Sequence, residues 1–235
     1  MGDIYSSVCW VVGPAAEGGN QCGNYAREGD CYNREHVWPV SWWGGSTAAT
    51  LTPHTDLHAL WPSDGYVNGI RANWAFCDLE VGIEPTYVST NGCKRGQCQS
   101  SQHDGTGFEV TDEYKGDLAR AILYVSTAYL GKLDCCKADG VDGDRLRPWM
   151  EAVMRSWHWA DPPSEKEVAM NDEIFVLQSN RNPYIDHPEW ANFVNFSQPV
   201  PTQQLARAAA TADAEPEPTA TRRSGHSVKH DDAGL

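Results

Sequence analysis

At 235 residues the chain has room for one domain with a sizeable core and a tail. An apolar content of 40%, with 10 Trp among it, excludes a wholly disordered chain. A net charge of −14 excludes a binder held to nucleic acid by a broad basic face, and no run of 18 apolar residues offers a membrane-spanning helix.

Residues 1–62 alternate short apolar runs with Gly and Pro, which reads as strands and loops. Within them CYNREHVWPVSWW (31–43) sets the carboxylate of Glu35 beside the imidazole of His36. Neighbours on a flat strand face opposite ways. If the two serve one target, the pair must sit at a strand end or bend just before Pro39. Next comes DLHALWPSDGYVNGIRAN (56–73), where Ser63 or Asp64 can cap a short helix. That helix carries Asn68 and Arg71, three apart on one face. Two strands followed by it make a ββα unit. His54 and His58 have the spacing of a helical zinc pair, so a zinc hydrolase is an alternative, although Thr55 stands where a zinc protease needs Glu. Asp56 can cap a turn or buttress a site.

The apolar stripe Leu118, Ala121, Ile122, Val125 and Tyr129 predicts a helix over 112–130, capped by Thr111 or Asp112 and closed by Gly131. Two more helices are expected at 145–158 and 164–178, the latter with capping-box spacing between Ser164 and Glu167. Asn180, Asn182, Asp186 and His187 read as loop-holding residues. Trp38, Trp42, Trp43, Trp61 and Trp74 read as core. The class is α+β, with strands early and helices in the C-terminal half. One domain is expected over 1–197. Residues 198–235, rich in Ala, Pro, Thr and charge, are expected to be a disordered tail.

Eight cysteines in a Gly- and Trp-rich chain suggest disulfides and an oxidising compartment. Sequence-local pairing gives Cys22–Cys31 and Cys93–Cys98. No signal peptide opens the sequence, so the secreted reading expects a leader removed before Met1.

The segments NREHVWPVSWW, DLHALWPSDGYVNGIRAN, KGDLARAILY (115–124), WHWADPPSEKE (157–167) and QSNRNPYIDHPEW (178–190) together resemble the endonuclease I family. These are secreted and periplasmic nucleases of the His-Me finger (ββα-metal) superfamily. The resemblance implies a ββα-metal core and a nuclease acting on DNA, or RNA, through backbone contacts, with 5′-phosphate and 3′-hydroxyl products. It implies His36 as general base and Glu35 and Asn68 as ligands of one Mg²⁺, with Ca²⁺ or Mn²⁺ as substitutes. Asp56, His58 and Asn73 are expected to support them. The protein is expected to be a secreted or periplasmic monomer without a membrane partner. A non-catalytic secreted domain of the same fold is a further alternative. One departure stands out. The family's phosphate-binding Arg comes from the stretch between the motifs, here GGSTAATLTPHT (44–55), which has none. Arg34, Arg71 and Arg181 remain, and Arg71 is preferred.

Overall fold

Short apolar runs between glycines and prolines produce short strands. The structure, a computed structural model, describes residues 2–44, 52–133 and 137–198. Strand β1 (Tyr32–His36) pairs antiparallel with β2 (Leu60–Asp64). Helix α1 (Gly65–Arg71) follows β2 without a linker. A three-stranded antiparallel sheet comes next, in the order β3 (Tyr87–Val88), β4 (Lys94–Gln97), β5 (Thr106–Glu109). Helix α2 (Lys115–Ala128) leads to the hairpin β6 (Val141–Asp142) and β7 (Arg145–Leu146). Helices α3 (Pro148–Ala160), α4 (Glu165–Gln178) and α5 (Pro183–Asp186) follow, and then a 3-10 helix over Pro188–Phe193. The class is α+β, as the sequence implies.

Helix α2 is buried on nearly every side from Gly116 to Ser126 and packs along α3. Around it lie Trp38, Trp42, Trp43, Trp157, Phe76 and Phe108, all buried. Each large side chain so buried contributes about 1.5–3 kcal/mol. This core holds the β1–β2 pair from one side.

The ends of the helices depart from the periodic pattern where local chemistry intervenes. Asp112–Tyr114 forms a 3-10 turn before α2, and Thr111 precedes it without a side-chain cap bond. Gly131 takes φ +74° just past the helix, a conformation that costs glycine nothing. The helix expected from 145 begins at 148 instead. Pro148 drives Arg147 out of the helical region, so Arg145–Leu146 is left to a strand. Helix α4 starts as its spacing demands, with Ser164 and Glu167 bonding each other's backbone amides.

Cys22 and Cys31 form a disulfide. The expected Cys93–Cys98 bond is not made: Cys98 joins Cys77, and Cys93 is a buried free thiol. The reason is geometric. Strand β4 lies between 93 and 98, and an extended chain of that length spans roughly 16 Å, far beyond disulfide reach. Gly107 of β5 lies against the Cys77–Cys98 sulfurs, where any Cβ would collide with both. Burial pushes the Cys93 thiol up to about 11.

The described residues form one compact unit that ends at Gln198. The tail expected over 198–235 lies, from 199 onward, outside the described residues. Among the described residues no helix is long and apolar enough to cross a membrane.

Candidate active site

Register on β1–β2 sets the stage. Tyr32 stands opposite Asp64, Glu35 opposite Trp61 and His36 opposite Leu60. Asp64, at the end of β2, accepts the amides of Tyr66 (2.9 Å) and Val67 (3.1 Å) and so starts α1 at once. A third donor, the Gly29 amide, holds its other oxygen at 2.7 Å. The short return lays α1 beside β1.

Glu35 and His36 occupy the end of β1, where the chain turns toward Pro39. Glu35 is 1% exposed. Its Oε1 lies 3.0 Å from Arg71 Nη1, itself 1% exposed. That contact is ionic rather than an aligned hydrogen bond, and Oε1 has no hydrogen-bond partner among the described residues. Burial pushes the Glu35 carboxyl up to about 7, against the opposing pull of the Arg71 charge and the Tyr5 hydroxyl.

His36 is half-buried. Its ring stacks on His54 at 5.0 Å between centroids and meets the edge of Trp43 at 5.7 Å. Nε2 lies 3.0 Å from the His54 carbonyl oxygen. A carbonyl only accepts, so Nε2 carries the proton and Nδ1 the basic lone pair. Burial lowers the pKa of His36, the His54 carbonyl raises it, and the charges of His54, Arg34 and Arg71 lower it further. The ring is therefore neutral at neutral pH.

Asn68 on α1 directs its Nδ2 to Asn33 Oδ1 (2.8 Å) and to the Arg34 carbonyl (3.3 Å). That commitment turns its Oδ1 away from those partners. Arg34, Glu35, His36, Asn68, Arg71 and Asn73 line one cleft of about 270 Å³. Asn73 donates to Ser41 Oγ at 3.2 Å at its exposed edge. Ala72 between them takes φ +50°, a strained setting for a residue with a Cβ.

Arg71 lies beneath the cleft rather than at its mouth. Nη2 donates to the Val37 carbonyl (2.9 Å), and Nη1 to those of His36 and Ala72 (both 3.3 Å). Its guanidinium also covers the Phe76 ring at 4.4 Å. The preference for Arg71 as the phosphate-contacting side chain meets a group already committed to the backbone and to Glu35. Arg181 is likewise held, by Asp172 and Asp186.

Asp56 caps the turn Leu57–Ala59 through the His58 amide (2.9 Å) and accepts from Gln178 (2.8 Å), Tyr124 (2.7 Å) and Tyr129 (2.6 Å). It thus anchors the segment whose His54 carbonyl holds His36. A larger cavity of about 420 Å³ opens beside Asp56 and Lys132, but its carboxylate is saturated and no candidate base lines it. His54 and His58 do not share a helix, because Asp56 between them is extended. The His58 ring packs on Tyr124 and bonds the Asn180 carbonyl. Among the described residues no group of three or more His, Cys, Asp or Glu is placed to hold a metal ion. Asn180 and Asn182 hold loops, to the Tyr124 hydroxyl and to the Arg120 carbonyl and α5.

Two side chains bring oxygens that suit a hard cation: Glu35, whose Oε1 meets Arg71 as an ion pair without an aligned hydrogen bond, and Asn68, whose Nδ2 makes the hydrogen bonds and leaves Oδ1. They fit an ion such as Mg²⁺, which binds few protein ligands and keeps much of its water. Tyr5 is the residue that sequence reasoning missed. It is fully buried and its hydroxyl lies beside Glu35, yet it stands in no motif and only its apolar neighbourhood hinted at burial.

The Endonuclease I family matches residues 1–189. The chain belongs to this family. An extracellular ribonuclease of Bacillus amyloliquefaciens is 36% identical over 166 residues, 68% of this chain and 53% of that one. An extracellular deoxyribonuclease of Aeromonas hydrophila is 31% identical over 134 residues, 56% of this chain and 48% of that one. A periplasmic deoxyribonuclease of the same organism is 29% identical over 144 residues, 60% and 52% of the two chains. The chain spans about half the length of the curated relatives it matches. The two disulfides among the described residues fit the extracellular or periplasmic setting that the relatives' names give.

Proposed function

We propose that the chain is a secreted, metal-dependent and largely sequence-nonspecific endonuclease that hydrolyses DNA or RNA to 5′-phosphate and 3′-hydroxyl ends. The observation that carries this reading is the meeting of Glu35, His36 and Asn68 in one cleft, with the His54 carbonyl fixing the His36 tautomer. In this reading β1, β2 and α1 are the ββα-metal core.

His36 Nδ1 takes a proton from the attacking water, as a neutral imidazole can. The stack on His54 and the edge of Trp43 hold the ring in that pose. Glu35 and Asn68 present oxygens to a divalent cation, Mg²⁺ with Ca²⁺ or Mn²⁺ as substitutes. When bound, such an ion supplies Lewis acidity at the phosphate and offsets charge on the leaving oxygen. Arg71 stiffens the arrangement by tying Glu35 to the carbonyls at the end of β1. Asp56 does the same for the His54 segment. Contacts to the sugar–phosphate backbone leave sequence unread. The protein acts as a monomer.

The test is nicking of supercoiled plasmid by the wild type and by His36→Ala, each with Mg²⁺ and with EDTA. Cutting that needs both Mg²⁺ and His36 is the expected result. A folded, oxidised wild type that cuts nothing with any of the three metals would instead make this a non-catalytic domain of the fold.

A further inference from the structure

Hydrolysis of a phosphodiester builds negative charge on the non-bridging oxygens, and a cation aimed at them is worth most in a partly dry cleft. In a chain of net charge −14, the position of each unpaired cation therefore carries information. Two arginines line the cleft. The buried Arg71 has its Nη donors committed to three carbonyls and Glu35. Arg34 is exposed and makes no ion pair with a carboxylate among the described residues. Residues 45–51, which lie outside the described residues, contain no Lys or Arg.

Strand geometry places Arg34 where the charge would form. Side chains two apart on a strand share a face, roughly 7 Å apart. Arg34 and His36 stand in that relation on β1, while Glu35 between them turns inward. The Arg34 carbonyl also accepts from Asn68 Nδ2, so its backbone is pinned beside the second oxygen donor. A planar guanidinium held there matches two phosphate oxygens at once.

We propose that Arg34 contacts the scissile phosphate and offsets its charge in the transition state, taking the role that the sequence alone pointed to Arg71. The inference rests on the nuclease reading above. Arg34→Ala and Arg34→Lys are compared with the wild type and with Arg27→Ala, which removes the same charge from a site paired to Asp30. Binding of a short fluorescein-labelled single-stranded DNA is followed by anisotropy in EDTA as salt is varied. Arg34→Ala should lower the salt slope by about 0.7, one phosphate contact on a single strand, and Arg27→Ala should leave it unchanged. Plasmid cutting with Mg²⁺ should fall about 100-fold in kcat for Arg34→Ala, and less for Arg34→Lys. Added guanidinium at non-denaturing concentration should restore part of the Arg34→Ala rate. Wild-type kcat and salt slope in Arg34→Ala would overturn the proposal while leaving the nuclease reading intact. A loss that guanidinium leaves untouched, with an unchanged salt slope, would overturn it too. An inactive wild type would overturn the nuclease reading itself.

Discussion

Glu35 and Arg71 are both buried, and that changes how a substitution at either must be read. Removing one partner leaves the other's charge in a dry site, at a cost of about 3–5 kcal/mol. Loss of activity in Glu35→Ala would therefore mix loss of a ligand with loss of fold. The cleaner design is a cycle of Glu35→Gln, Arg71→Met and the double variant, read by urea unfolding. Arg71→Met should lose about 3–5 kcal/mol, and the double variant should be more stable than the sum of its parts predicts. Independent, additive losses would mean that the pair is not an energetic unit. At this scale the sequence spoke clearly through NREH, whose neighbours fix a known geometry. It was silent on burial. Nothing in VNGIRAN distinguishes an arginine aimed at solvent from one folded under its own helix. Tyr5 carried no motif at all. Cys93 and Cys98 are near in sequence and far in space because the residues between them are extended.

Among the elements, α2 and α4 share a buried charge cluster that bears on stability. Arg120 donates to Glu167 through Nε at 2.6 Å and through Nη2, and pairs with Asp117 at 3.1 Å. Its Nη1 donates to the Asp161 carbonyl, and the Asp161 carboxylate accepts from the Gly116 amide. One guanidinium thus serves two buried carboxylates. Burial and the neighbouring Glu167 raise the Asp117 pKa, with Asp161 adding to the effect and Arg120 opposing it. The unfolded chain releases that proton near the ordinary carboxylate value, while the folded protein still holds it. Stability must therefore fall as pH rises from the unfolded value toward the raised folded one. The slope is about 1.4 kcal/mol per pH unit for one proton. Asp117→Asn should flatten that decline between mildly acidic and neutral pH in urea unfolding. An unchanged slope would place the titration elsewhere. The helices themselves were legible because an apolar stripe and a capping box are local. Their starts were less so. Pro148 overrode the stripe at 145, and the 3-10 turn before α2 has no periodic signature.

Over the whole molecule, cross-links and core divide the work. The Trp-rich core packs around α2, while Cys77–Cys98 ties the loop after α1 to the end of β4. That bond closes a loop of sequence separation 21, worth about 3 kcal/mol by loop entropy. Cys77→Ala combined with Cys98→Ala should lower the urea midpoint accordingly. No change on removing both thiols would show that Gly107 and its neighbours hold the sheet unaided. Composition made a disulfide-bearing α+β protein legible, but eight cysteines left the pairing open until the path of β4 was known.

The burial of Tyr5 against Glu35 has a consequence for proteolysis. The wall behind the paired carboxylate and guanidinium includes Tyr5, which lies in sequence apart from every residue of the cleft. A protease that cuts just after Tyr5 would remove no proposed ligand, base or phosphate contact. It would nonetheless admit water behind Glu35 and release the end of β1 from its backing. Such a clip would be an inactivating cut made at a distance from every bond the cleft is built to touch.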